Sequence, residues 1–224
     1  MNYSAVFRYF RRLASGDSES WKYLPYQLRM FCRGIDLRGL GSEEISSSEE
    51  WSYRDSGGPD LDKLLQTLPI SRSDTVLDLG CGKGGAMLNM AKYPFSRVDG
   101  VEISPNLARI ARQNLQRFRI SNATIYCCDA ADFGDLDKYN YFYVYQPFPE
   151  QVMRSVMDNT ISSLRRRSRK VTLIYKNPLF HNLIIGAGFQ KVAEVGRTHL
   201  HHPFNIYVLA SVAETTLEGC LVCG

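Results

Sequence analysis

The chain has 224 residues, of which 44% are hydrophobic and 22% charged, and a formal net charge of +4. That length can bury a full core, and the composition is that of an ordinary folded domain rather than a disordered chain. No apolar run reaches the ~18 residues of a membrane span, and so modest a positive charge does not by itself argue for nucleic acid.

Met1 to Gly16 carries Arg8, Arg11 and Arg12 but lacks the apolar stretch of a secretory signal. The six cysteines are too sparse for a disulfide scaffold. Cys81 lies among glycines, and Cys127 and Cys128 end an apolar run, so reduced thiols in a cytoplasmic protein are the reading. Tyr3, Phe7 and Phe10 recur at helical spacing between arginines. A helix packed on its own domain and a basic helix for a partner or membrane both fit, and the packed helix is preferred. The aromatic patch from Trp21 to Phe31 continues this cap. Ser42 to Asp60 shows no apolar period, and Trp51 and Tyr53 within it are candidate substrate-binding residues. A lid and a plain linker fit that segment equally. The expected division is a helical cap and lid loop over 1–60, a main domain over 61–212 and a tail over 213–224.

Leu61, Leu64, Leu65 and Leu68 follow i, i+3, i+4, i+7 and predict a helix. Val76 to Leu79 is a short buried strand, Gly80 to Gly85 a glycine turn, and Ala86, Met87, Met90 and Ala91 one helical face. Arg97 to Glu102 predicts a second strand. Ser104 and Pro105 open the next helix as N-cap and first-turn proline, and Leu107, Ile110, Ala111 and Leu115 are its apolar face. Further strands are predicted over 122–127, 140–145 and 170–175, with a helix from Glu150 to about Leu164. A final strand pair is expected over 191–195 and 205–209. Alternating strands and helices imply a Rossmann-like α/β domain, with a mostly parallel sheet covered by helices on both faces.

Ligands of such sheets bind outside the carboxyl ends of the strands. The glycine loop, Glu102, Asp129, Gln146 and Asn177 all fall there. Gly80 to Gly85 formally fits the dinucleotide glycine pattern, and Glu102 follows at the spacing of a ribose-binding acid, so a nicotinamide oxidoreductase is a rival. Against it, Asp78 would repel a pyrophosphate, Asp129 adds a second acid suited to an adenine amino group, and there is no second nucleotide-binding half. A phosphate-binding P-loop also fails, because Lys83 is not followed by Ser or Thr.

Val76 to Gly84 (V-L-D-L-G-C-G-K-G), Val98 to Ser104 (V-D-G-V-E-I-S) and Cys128 to Asp132 (C-D-A-A-D) resemble the first three motifs of class I S-adenosylmethionine-dependent methyltransferases. The resemblance runs from about Leu61 to Leu209. It implies a seven-stranded sheet with the last strand antiparallel, S-adenosyl-L-methionine as cofactor and S-adenosyl-L-homocysteine as product. Carried over by position, Asp78, Gly80, Cys81 and Gly82 border the methionine part. Glu102 takes the ribose hydroxyls, Asp129 and Ala130 border the adenine, and Ile103 and Gln146 are further cofactor-binding residues. The wording of the glycine loop and of Gly100 to Ser104 is similar to a bacterial branch that in turn resembles the non-SET histone-lysine methyltransferases.

The fourth motif departs from the version found in many amino-group methyltransferases: Gln146, Pro147, Phe148 and Pro149 supply an amide and an aromatic without the paired prolines. Tyr145, Gln146, Pro147 and Phe148 are the candidate catalytic residues, and Tyr175 and Asn177 join Trp51 and Tyr53 as candidate acceptor contacts. Methyl transfer to nitrogen or oxygen of a small molecule or protein side chain is the expectation. A non-catalytic cofactor-binding partner subunit is the rival that keeps the fold. His199 to His202 fits a solvated turn, Cys220 and Cys223 form half a zinc pattern, and no metal is expected. Arg165 to Lys170 reads as a solvated helix end at the amino edge of the sheet, away from the site, so nucleic acid is disfavoured.

Overall fold

A computed structural model of the chain describes residues 22–37, 55–145, 148–196 and 202–210. In chain order these form α1 (Leu24–Cys32), α2 (Pro59–Thr67), β1 (Thr75–Leu79), α3 (Gly85–Met90), β2 (Arg97–Glu102), α4 (Pro105–Arg117), β3 (Ile125–Cys127), a short 3-10 turn (Leu136–Lys138), β4 (Tyr141–Tyr145), α5 (Glu150–Arg166), β5 (Val171–Lys176), α6 (His181–Gly186), β6 (Gln190–Val195) and β7 (Phe204–Leu209).

The strands make one seven-stranded sheet in the order β3-β2-β1-β4-β5-β7-β6. β1 to β5 pair in parallel, while β7 runs antiparallel to both β5 and β6. Side chains alternate across each strand, which divides the core in two. One face buries Val76, Val98, Tyr143, Ile174 and Ile206 under α2, α3 and α4. The other buries Leu77, Val101, Phe142, Leu173 and Tyr207 under α5 and α6.

The helices start where local chemistry dictates. Ser104 Oγ accepts from the Leu107 amide at 3.4 Å, and Pro105 pre-sets the first turn of α4. α2 opens on Gly58 and Pro59, carries Asp60 and Asp62 in its first turn, and buries Leu61, Leu64 and Leu65.

Most strand boundaries fall within a residue of the sequence expectation, and three of the differences have a visible cause. β3 pairs only from Ile125, because the Thr124 amide donates to Asp99 Oδ1 at 2.8 Å. β4 begins at Tyr141, since the Asn140 side chain accepts from the Thr75 amide at 2.9 Å and donates to Asp74 at 2.6 Å. β5 extends to Lys176, which pairs with both Tyr145 and Phe204. The short helix α6 was not anticipated, because six residues (His181–Gly186) carry too little apolar period to announce it.

The N-terminal segment docks on the α3 face. Asn89 is buried and bridges Gly58 twice, accepting from its amide at 2.9 Å and donating to its carbonyl at 3.0 Å. The Tyr143 hydroxyl reaches the Ser56 carbonyl at 3.5 Å. Asn114 ties Asp36 to the glycine loop, donating to the carbonyls of both Asp36 and Lys83. Lys83, itself buried, also pairs with Asp36 at 3.3 Å.

Candidate functional site

The glycine loop leaves β1 at its carboxyl end, and its amides turn at once toward β2. Gly80 and Cys81 both donate to the Val101 carbonyl at 2.9 Å. Gly80, Gly82 and Gly84 have φ of 77°, 54° and 80°, so the alternate residues of the loop occupy the left-handed region that favours glycine.

Glu102 ends β2 and is 7% exposed. Its Oε2 accepts from the Gly82 amide at 2.8 Å and its Oε1 from the Ser104 amide at 2.9 Å. A carboxylate offers about four acceptor positions, so the two amides orient the group rather than exhaust it. Asp78 lies on the same sheet face, in register with Gly100 and Tyr143, and is 3% exposed. No described residue donates to it. Burial, then the charge of Glu102, pushes the Asp78 carboxyl well above the usual carboxylate range. The Cys81 thiol is likewise pushed up, by burial and then by Asp78 and Glu102. A buried thiol held in its protonated form is a poor nucleophile.

Ile103 follows Glu102 with its side chain 64% exposed at the sheet edge. Asp129 is half-buried after β3 and accepts from the Ala131 amide at 2.8 Å, with Ala130 buried beside it. Asp78, Gly80, Cys81, Gly82, Glu102, Ile103, Asp129 and Ala130 thus border one rim, formed by the carboxyl ends of β1, β2 and β3.

A second group assembles at the ends of β4 and β5. Tyr145, Lys176 and Phe204 are direct cross-strand neighbours on the same face as Asp78. The Lys176 ammonium sits 4.9 Å from the Tyr145 ring centroid and 5.2 Å from that of Phe204. Asp55 approaches from the N-terminal segment, held by the Tyr26 hydroxyl at 3.0 Å and the Gly57 amide at 2.9 Å. It fills the space above Gly85, where a β-carbon would lie 1.9 Å from Oδ1. Burial raises the Asp55 carboxyl, opposed by those two hydrogen bonds and by Lys176. Lys176 is lowered by burial and supported by Asp55 and Asp60.

Not every anticipated residue joins this rim. Tyr175 is fully buried on the opposite face, packed in the core beneath α5 and α6, with its hydroxyl held up to about 12 by burial. Asn177 stands just past β5 at φ 54°, its amide donating to the Pro203 carbonyl at 2.8 Å. Phe148 packs against the α5-side core. Gln146, Pro147, Trp51, Tyr53, His199 and Cys220 with Cys223 lie outside the described residues. Sequence reasoning missed Lys176, Asp55 and Tyr26. The signal for Lys176 was the strand phase, which sets it opposite Tyr175 and level with Tyr145.

Part of the basic run at the end of α5 is engaged at the amino edge. Arg166 grips Asp137 through two nitrogens, at 3.1 and 2.8 Å. Arg169 donates to the carbonyls of Tyr139 and Leu136 and to Ser163 Oγ. Among the described residues no helix is long and apolar enough to cross a membrane.

Known proteins resemble this chain over part of its sequence and in its fold. Residues 76–169 match the family model of a methyltransferase domain. The curated relatives include the 23S rRNA (uracil(1939)-C(5))-methyltransferase RlmD of Legionella pneumophila (strain Corby), 40% identical over 70 residues, covering 31% of this chain and 16% of the relative. The enzyme of the same name from Francisella tularensis subsp. novicida is 28% identical over 134 residues, covering 59% and 28%. The chain therefore spans less than a third of these relatives. Among solved structures, a SAM-dependent methyltransferase from Aquifex aeolicus aligns with TM-score 0.52 at 11% identity over 67% of this chain and 90% of that one. MtNAS in complex with S-adenosylmethionine aligns with TM-score 0.54 at 18% identity, over 68% and 62%. At those identities the likeness is one of fold. Residues 76–169 thus carry a methyltransferase domain set in the seven-stranded sheet, and the cofactor of such SAM-dependent methyltransferases is S-adenosylmethionine.

Proposed function

We propose that the whole chain is a methyltransferase that moves the methyl group of S-adenosylmethionine to a nitrogen or oxygen of a small molecule or a protein side chain. The observation that carries this reading is the pairing of Asp78 and Glu102, two buried acids on one rim, one of them tied into the glycine loop. An uncompensated buried carboxylate is costly, and a cofactor bearing an ammonium and a sulfonium relieves that cost. A pyrophosphate would worsen it, which weighs against a nicotinamide cofactor.

In this reading Asp78 takes the cationic methionine end, with Gly80, Cys81 and Gly82 as the floor. Glu102 accepts from the ribose hydroxyls, and Ile103, Asp129 and Ala130 border the adenine. The bound cofactor supplies an electrophilic methyl on a good leaving group. The chain's task is then alignment, which can contribute about 7–11 kcal/mol without a covalent nucleophile. Tyr145 at the end of β4, followed by Gln146, Pro147 and Phe148, orients the acceptor, with the backbone there receiving its hydrogen bonds. Trp51, Tyr53 and Asn177 complete the acceptor side, and residues 1–60 act as the cap. Tyr175, buried on the other face, takes no part.

The engaged guanidiniums of Arg166 and Arg169 support an acceptor other than nucleic acid, although the curated relatives act on rRNA by name. The buried, unreactive Cys81 thiol suits a reducing, cytoplasmic setting. Likeness to the bacterial branch near the non-SET histone-lysine methyltransferases rests on the wording of two motifs and favours an amino group as acceptor. The test is incubation with methyl-labelled S-adenosylmethionine and, in parallel, small amines and organic acids, a protein extract and total RNA. Label is expected in the small-molecule or protein fraction. Label confined to RNA would overturn the acceptor class.

A further inference from the structure

The top rung of the sheet holds one charge that the cofactor rim does not use. Lys176 is 9% exposed, and it makes no hydrogen bond or ion pair with any described residue. Its neighbours on the rung are two aromatic rings, Tyr145 and Phe204, at 4.9 and 5.2 Å. Rings on both sides favour an ammonium over a neutral amine. A buried cation without a counterion is nevertheless unfavourable. The acids that face it are Asp55, from the N-terminal segment, and Asp60, at the start of α2. Neither is paired with Lys176: Asp55 accepts from Tyr26 and Gly57, and Asp60 pairs with Lys22 at 3.1 Å.

The position of this cation is fixed by the register. Lys176 is level with Tyr145, and β5 stands two strands from β1, about 10 Å from the glycine loop at ordinary strand spacing. That offset is too large for the loop's own ligand contacts and suits a second molecule lying over the end of β4. We propose that Lys176 binds an oxyanion, a carboxylate or a phosphate, carried by the methyl acceptor. The proposal rests on the methyltransferase reading for the word acceptor. The anion site itself stands on burial, rings and register.

The experiment uses the full chain with lysines labelled with 13C at the ε-carbon, free and loaded with S-adenosylhomocysteine. Each form is titrated with acetate, inorganic phosphate and acetamide while the Lys176 signal is followed, identified by its loss in Lys176→Arg. Exposed Lys63 serves as internal reference. A saturable shift of Lys176 is expected with acetate or phosphate, about ten-fold tighter than any response of Lys63, and none with neutral acetamide. The tighter of the two anions identifies the group. Asp55→Asn, which removes a competing negative charge, is expected to tighten the response by about three-fold.

A Lys176 signal that follows neither anion, or follows them no better than Lys63, overturns the proposal. So does a signal that S-adenosylhomocysteine alone shifts while abolishing the anion response, because the oxyanion would then be the cofactor's own carboxylate. Failure of S-adenosylhomocysteine to bind, seen by calorimetry before any anion is added, would remove the methyltransferase reading and leave the free-chain titration to decide the anion site.

Discussion

The Glu102 carboxylate accepts from the Gly82 amide at 2.8 Å across the gap between β2 and the glycine loop. One side chain at the end of β2 thus fixes the loop at the rim. Glu102→Ala is expected to weaken S-adenosylmethionine binding by about ten-fold to a hundred-fold, the worth of a hydrogen bond to a charged group. Glu102→Gln, which keeps an acceptor oxygen, should lose less. Competition against a fluorescent S-adenosylhomocysteine analogue measures both.

Asp78 gives the site a pH dependence whose sign follows from its surroundings. Burial and the Glu102 charge raise its folded value, so the free chain loses stability as pH rises through that value. A cationic ligand prefers the ionised acid, so its affinity rises over the same interval. Melting curves and binding constants followed as pH rises above the ordinary carboxylate range should therefore move in opposite directions. Asp78→Asn should flatten both and raise the stability of the free chain at the upper end.

Asn89 holds the N-terminal segment to the core by two hydrogen bonds to Gly58. Asn89→Ala leaves the buried Gly58 amide unpaired, while the Gly58 carbonyl keeps the Asp62 amide at 3.1 Å, and is expected to cost about 1–3 kcal/mol in urea unfolding. Amide exchange at Gly57 and Gly58 should accelerate in that variant. An unchanged unfolding midpoint would show that the docked segment contributes nothing.

Arg169 separates the structural reading of the basic run from a nucleic-acid one. It donates to Tyr139, Leu136 and Ser163 at the amino edge. Arg169→Ala should destabilise the fold by about 1–3 kcal/mol and leave the S-adenosylmethionine affinity unchanged. Loss of RNA association in filter binding, without loss of stability, would reverse that assignment.

Much of this architecture was legible in the sequence because its signals are local. The strand Val76 to Leu79, the alternate glycines and Glu102 a single crossover later fall within one supersecondary unit. The Ser104 cap and the leucine period of α2 were equally readable, each being contained in a turn or two of helix. What escaped was non-local or a matter of phase. Ending β5 at Tyr175 gave that tyrosine the edge position, whereas one more residue of pairing gives it to Lys176 and turns Tyr175 into the core. Asp55 over Gly85 and Asn89 against Gly58 join segments 30 or so positions apart, and no spacing rule links them.

The central claim is that the rim between β1, β2 and β3 takes S-adenosylmethionine rather than a dinucleotide. Calorimetric titration of the full chain with S-adenosylmethionine and, separately, with NAD tests it most directly. One saturable site for S-adenosylmethionine and no heat from NAD is the predicted result. Saturable binding of NAD with none of S-adenosylmethionine would contradict it.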